Sequence, residues 1–259
     1  MNIITLTSDY GNNSHYIASI KGSLLKHITN IHIVDVTHGI QKFDKIESAF
    51  VLTNSYKNFT DGSIHLICVE TNILEYKNIV IAKYQNQYFI ALDNGIINLM
   101  FDQQSAEIWI LKKVLLSNVD LFVENDVFVK IAEHIVNKLP ISDIAQLGKL
   151  TNGLTLRNVN IEEDGITAHV AFIDGFGNVH FNLSKTTFDE VRKGRKFKAY
   201  YARKNFFDKI SMHYTEGVAG TELLLFNSNN YMEIATNRGN ASQLLGLKIN
   251  SKIIIEFFN

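Results

Sequence analysis

Up to Pro140 the chain switches repeatedly between two hydrophobic periods, and this alternation constrains the fold more than any single motif does. "NIIT" (2–5), "IHIVDV" (31–36) and "IHLICV" (64–69) read as strands. Between them, "YIASIKGSLLKHI" (16–28) places Ile17, Ile20, Leu24 and Ile28 on one helical face, and "FDKIESAFVLTNSYKNF" (43–59) also reads as a helix. Strand, helix, strand, helix, strand predicts βαβ units, hence a parallel sheet covered by helices. Residues 78–95 then predict a hairpin turning at Gln85-Asn86, and 126–139 an amphipathic helix that stops at the only proline, Pro140.

Beyond Pro140 the pattern changes. "ITAHVAFID", "VHFNL", "KFKAYYA", "ELLLFN", "YMEIAT" and "KIIIEFF" are short strands separated by Gly, Asn and Ser. They predict a smaller, mostly antiparallel β domain. The expected organisation is an α/β domain over residues 1–140, a linker at 141–149 and a β domain over 150–259.

Composition excludes several classes of partner. A net charge of -1 and the lack of a dense Lys/Arg stripe leave no footprint for nucleic acid. No apolar run approaches the roughly 18–20 residues that span a bilayer. Cys68 is the only cysteine, so no intrachain disulfide can form. The first residues run into a strand without a basic n-region, and a cytoplasmic protein is expected.

In a parallel α/β sheet, ligands bind outside the carboxyl ends of the strands. The polar groups there are Asp9; Asp35, Thr37 and His38; Glu70, Thr71 and Asn72; and Asp93-Asn94. The β domain adds Asp174 and Asn178 in "IDGFGN", then Ser228 and Asn237 in "LLFNSNNYMEIATNRGN". Each has an ordinary role as a turn or helix cap that competes with ligand contact. Three carboxylates with His15 and His38 have the chemistry of a hard-metal site, but no H-x-x-H or paired-Asp spacing accompanies them, and no metal is expected. Walker, GxGxxG, GxSxG and CxxC motifs are absent.

Taken together in order, "TLTSDYG", "VDVTHGI" with "FDKIESAF", "GSIHLICV", "LDNGII", "NDVF", "IDGFGN" and "NSNNYMEIATNRGNAS" resemble the S-adenosyl-L-methionine (SAM) hydroxide adenosyltransferase family, relatives of the SAM-dependent fluorinase and chlorinase. The resemblance implies an α/β N-terminal domain, a β-barrel-like C-terminal domain and a homotrimer with SAM held between neighbouring subunits. It implies no cofactor, SAM being substrate or ligand. By the same resemblance, Asp9 accepts from both ribose hydroxyls, a role suited to a group with two acceptor oxygens and no donor. Phe43 packs on the nucleoside, Asn178 reads adenine, Asp174 faces the methionine ammonium, Ser228 faces its carboxylate, and the backbone around Asn237 meets adenine.

The family reaction is substitution at C5′ of SAM, with an Asp-Arg-His set around the attacking water in its hydrolytic members. This chain departs from that set. Glu70 stands for the Asp, Lys77 for the Arg, Val123 for the His, and Ser14 replaces a carboxylate near the methionine end. Glu keeps the charge one methylene further out, and a misplacement of about 1 Å in a reacting group can cost on the order of 100-fold. Lys keeps the charge without the bidentate fork, and Val can neither accept a proton nor hold a water. Glu70 and Lys77 are the catalytic candidates, with Glu124 or Asp126 able to take over part of the missing role. The expected function is hydrolysis of SAM to adenosine and methionine; the alternative is a non-catalytic sensor of SAM or adenosine.

Overall fold

Strands β1 (Asn2–Ser8), β2 (Ile31–Thr37) and β3 (Ile64–Cys68) pair in parallel, with β1 in the middle. They belong to a computed structural model that describes residues 2–76, 78–101, 105–113, 122–154 and 159–259. The hairpin of β4 (Ile79–Tyr84) and β5 (Gln87–Leu92) joins through β5, parallel to β3. Gln85 and Asn86 both have positive φ, 46° and 58°, which gives the tight turn the twist its strands need. With β6 (Glu107–Leu111) and β7 (Ala145–Leu147) the order is β2-β1-β3-β5-β4-β6-β7.

Alternating side chains place a core on each face of this sheet. On one face Ile4, Leu6 and Leu66 pack with Leu24 of α1 (His15–His27) and Ile131 of α5 (Val129–Val136). On the other, Ile67, Val80 and Phe89 pack with Leu52 of α2 (Lys45–Ser55) and Ile97 of α4 (Ile96–Met100). Ser14 and Asp44 cap α1 and α2, accepting from Tyr16 N and Glu47 N. Short α3 (Ile73–Tyr76) follows β3. The helix expected at 126–139 is entered through a π turn, Glu124–Phe128, before α5.

The stretch 141–149, expected as a linker, carries α6 (Ile141–Ile144) and β7, which pairs antiparallel with β6. The open edge of β6 supplies unpaired backbone groups, and Ala145 is buried beside Leu111. The chain divides into compact units at Met1–Leu156 and Arg157–Asn259.

The second unit contains β8 (Asn160–Glu162), β9 (Gly165–Ile173), β10 (Val179–Ser184), α7 (Lys185–Arg192), β11 (Lys196–Tyr200), β12 (Phe206–Phe207), β13 (Glu222–Phe226), β14 (Tyr231–Thr236), α8 (Ala241–Leu245) and β15 (Lys252–Phe258). Its order is β12-β11-β15-β9-β10-β14-β13, with β8 on β9, and these strand pairs are antiparallel. The sheet is barrel-like, curled around Phe181, Phe188, Leu224, Ile234 and Ile255. Among the described residues no helix is long and apolar enough to cross a membrane.

Candidate functional site

Asp9 follows β1 directly and is 9% exposed. Its Oδ2 accepts from Phe43 N at 3.0 Å and from Glu70 N at 3.3 Å, so one carboxylate oxygen holds the loops after β2 and β3. Both partners lie in the left-handed region, Phe43 at φ 66° and Glu70 at φ 50°. Such a conformation costs a non-glycine residue about 1–2 kcal/mol and persists where its surroundings enforce it. Asp9 Oδ1 has no hydrogen bond among the described residues. Phe43 is 66% exposed and lines a 360 Å³ cavity with Gln41, Asp44, Lys45, Leu99 and Leu154.

Glu70 is paired with a cation that sequence reasoning missed. Lys45, the first residue of α2, places Nζ 2.7 Å from Glu70 Oε2 and 3.2 Å from the Tyr76 hydroxyl. Burial works to lower the Lys45 pKa, but the bonds to Glu70 and Tyr76 outweigh it and the net shift is upward. No motif marks Lys45; only the folded loop brings α2 to the end of β3. Lys77, the predicted partner of Glu70, lies outside the described residues.

Glu124 is 2% exposed, and its Oε1 accepts from both the Tyr10 and the Thr71 hydroxyls. Burial raises its pKa, the two hydroxyl donors oppose the rise, and the Asp9 charge adds to it. Burial, with Cys68 and Glu124 nearby, also pushes up the Tyr10 phenol. Val123 beside it is 1% exposed and packs in the core with Leu66 and Ile131. Ser8 Oγ, His38 and Asp35 form a line, with 2.8 Å from Ser8 to Nδ1 and 3.1 Å from Nε2 to Asp35. Ser8 is buried, and the line braces the β1 and β2 ends. Among the described residues no group of three His, Cys, Asp or Glu side chains is placed to hold a metal ion.

In the second unit, Asp174 organises the turn between β9 and β10. Its Oδ1 accepts from Phe176 N and Asn178 N, each at 2.9 Å, and Oδ2 from Asn178 Nδ2 at 3.0 Å. Gly177 in that turn has φ 83°, and a Cβ there would sit 2.1 Å from the Asn240 side chain, so glycine is required. Asp174, Asn178 and Asn237 line one cavity of 750 Å³ with Phe176, Tyr214 and Arg238. Tyr214 and Arg238 lie in loops; nothing in the sequence marked Tyr214, while Arg238 falls in the stretch around Asn237 without being singled out. Ser228 is exposed in the turn between β13 and β14 and does not line this cavity.

The model of the SAM hydroxide adenosyltransferase N-terminal domain matches residues 4–145, and that of the C-terminal domain residues 168–254. An (R)-S-adenosyl-L-methionine hydrolase of Methanocaldococcus jannaschii is 25% identical, with 95% of this chain and 93% of that protein aligned. One of Salinispora tropica is also 25% identical, with 94% of each covered. Among solved structures, a conserved protein from Thermotoga maritima superposes with a TM-score of 0.85 at 25% identity, covering 98% of this chain and 99% of that one. A conserved protein from Thermus thermophilus shares the fold, at a TM-score of 0.74 and 20% identity over 100% of both chains.

Proposed function

The chain belongs to the SAM hydroxide adenosyltransferase family, and from that premise we propose that it binds SAM and hydrolyses it to adenosine and methionine. The observation that carries the reading is the Asp9 clamp: one oxygen locked by two backbone N–H groups, the other left to accept from a ligand. A vicinal diol supplies the matching donors. Phe43 offers the nucleoside an aromatic face, and Asn178 and the backbone at Asn237 meet adenine. Asp174 takes the ammonium and Ser228 the carboxylate of the methionine end. The working form is a cytoplasmic homotrimer in which neighbouring subunits complete the site.

In the reaction, a water oxygen bonds to C5′ as the C5′–S bond breaks, and its electron pair neutralises the sulfonium to the thioether of methionine. The water proton leaves to a base. Glu70, oriented by Lys45 and assisted by Lys77, is the carboxylate assigned to that proton. The sulfonium is already a good leaving group, so position and base account for the catalysis. Incubation of the pure protein with SAM, followed by chromatography, should yield adenosine and methionine in equal amounts.

A second reading, a sensor of SAM or adenosine without turnover, is favoured by Val123, whose side chain is committed to the core. Tight SAM binding with no adenosine released would select it.

A further inference from the structure

Behind Asp174 lies a second carboxylate, and one histidine stands between the two. His180 and Glu233 are direct partners across the β10–β14 pair. His180 Nε2 is 3.4 Å from Asp174 Oδ2, and its Nδ1 is 3.3 Å from Glu233 Oε2. Glu233 is fully buried; its Oε2 also accepts from the Tyr214 hydroxyl at 3.2 Å, and its Oε1 has no hydrogen-bond partner among the described residues. Asn227 Nδ2 approaches His180 Nδ1 at 3.1 Å, and the Phe172 ring lies 5.6 Å from the imidazole. From β13 the residue opposite Glu233 is the apolar Leu225.

A carboxylate in such a place is tolerated when it holds a proton or faces a cation. Among these neighbours only His180 can become one. Burial raises the Glu233 pKa to about 7 and lowers that of His180, each shift favouring the uncharged form of the group. Asp174 already takes two donors on Oδ1 and one on Oδ2, and the long His180 contact occupies its remaining acceptor site. An arriving ammonium must share or take that site.

We propose that His180 and Glu233 form a proton-holding pair that positions Asp174 and makes its capture of a ligand ammonium depend on pH. The pair thereby acts as a selectivity element for ligands with an amino-acid end, an inference that rests on the reading of Asp174 given above. At lower pH the pair gains a proton, its charge becomes more positive, and an ammonium beside Asp174 is held less firmly.

The test uses two unreactive probes, S-adenosylhomocysteine, which carries the ammonium, and 5′-methylthioadenosine, which lacks the amino-acid end. Calorimetric affinity of the full chain for the first should rise about tenfold between about pH 5.5 and about pH 7.5, a one-unit pKa displacement on binding. Affinity for the second should stay flat. His180→Gln and the isosteric Glu233→Gln should each flatten the first profile while keeping the affinity for 5′-methylthioadenosine. If His180→Gln fails to fold, the wild-type profiles and Glu233→Gln still decide. Identical pH profiles for the two probes, or an unchanged slope in folded variants, overturn the inference alone. A wild-type protein that binds neither probe overturns the functional reading and the inference with it.

Discussion

Asp9 and Asp174 both stand at the carboxyl end of a strand, and backbone N–H groups hold both carboxylates, yet they organise very different lengths of chain. Asp174 accepts from residues two and four positions on. Asp9 accepts from residues 34 and 61 positions on. The first is a turn that can form by itself. The second is a clamp that exists only when three parallel strands are already in register, because β2 and β3 must deliver Phe43 and Glu70 to it. The same side chain thus has a local role in one unit and a topological role in the other.

That contrast predicts its largest effect for Asp9→Ala. Removing the carboxylate leaves two loop N–H groups without their acceptor, at roughly 1–3 kcal/mol for each one that stays buried. Denaturant unfolding should show a loss of about 2–4 kcal/mol for Asp9→Ala and only about 1 kcal/mol for Asp174→Ala, whose turn retains Gly177 and reaches solvent. SAM affinity should also fall more for Asp9→Ala than for Glu70→Ala, because the role proposed for Glu70 is in the chemistry and not in holding the ligand. Equal stability losses at Asp9 and Asp174 would break the comparison.

The second prediction concerns Val123, the position where the resemblance calls for a histidine. Val123 belongs to the core between the sheet and α5, so Val123→His forces a larger polar ring into packed space. The expected cost is about 2–4 kcal/mol, with no gain in adenosine release. A variant that is stable and faster would show instead that this corner of the first unit opens to substrate and is not committed to the core.

Legibility in the sequence followed the same divide between local and long-range structure. Alternating periods announced the parallel strands, the hairpin turn at Gln85-Asn86 and the β-rich second unit, because each is a short-range pattern. "IDGFGN" was readable for the same reason, since Asp174 binds its own turn. Lys45 beside Glu70 was not readable, because 25 residues separate them and only packing brings α2 to the end of β3. Nor was β7: three residues after a four-residue helix carry too little periodicity, and its pairing is decided by the open edge of β6. The roles of Glu233 and Tyr214 behind Asp174 were hidden likewise, since cross-strand register sets Glu233 against His180 and a loop brings the Tyr214 hydroxyl to it.

A third prediction sharpens the comparison on the side of the second unit. The folded-state pKa of Glu233 is raised, from 4.5 to about 7. A carboxyl raised in the folded state favours folding below its unfolded value, and that contribution is lost as pH rises through the folded value. Wild-type stability should therefore fall relative to Glu233→Gln between about pH 4.5 and about pH 7, by an amount of order 1–3 kcal/mol. Thermal unfolding of both proteins across that range checks it. Parallel curves would mean that Glu233 stays ionised against His180, and the second unit would then hold a fixed ion pair.

The smallest effect is expected at Phe43, and it separates binding from stability within the clamp itself. Phe43 holds φ 66° with two thirds of its surface exposed, so it contributes a backbone N–H to Asp9 and little burial to the core. Phe43→Gly keeps that N–H and relieves a left-handed strain of about 1–2 kcal/mol, while the freer unfolded chain takes back about 0.5–1 kcal/mol. Stability should change by no more than about 1 kcal/mol, with the balance on the stabilising side. Adenosine affinity should nonetheless fall several-fold, because an aromatic face on a ring is worth about 0.5–1.5 kcal/mol. Asp9→Ala loses both properties and Phe43→Gly only one. If Phe43→Gly instead unfolds as readily as Asp9→Ala, the ring and not the backbone is what the β2 loop needs, and the clamp is not the organising contact.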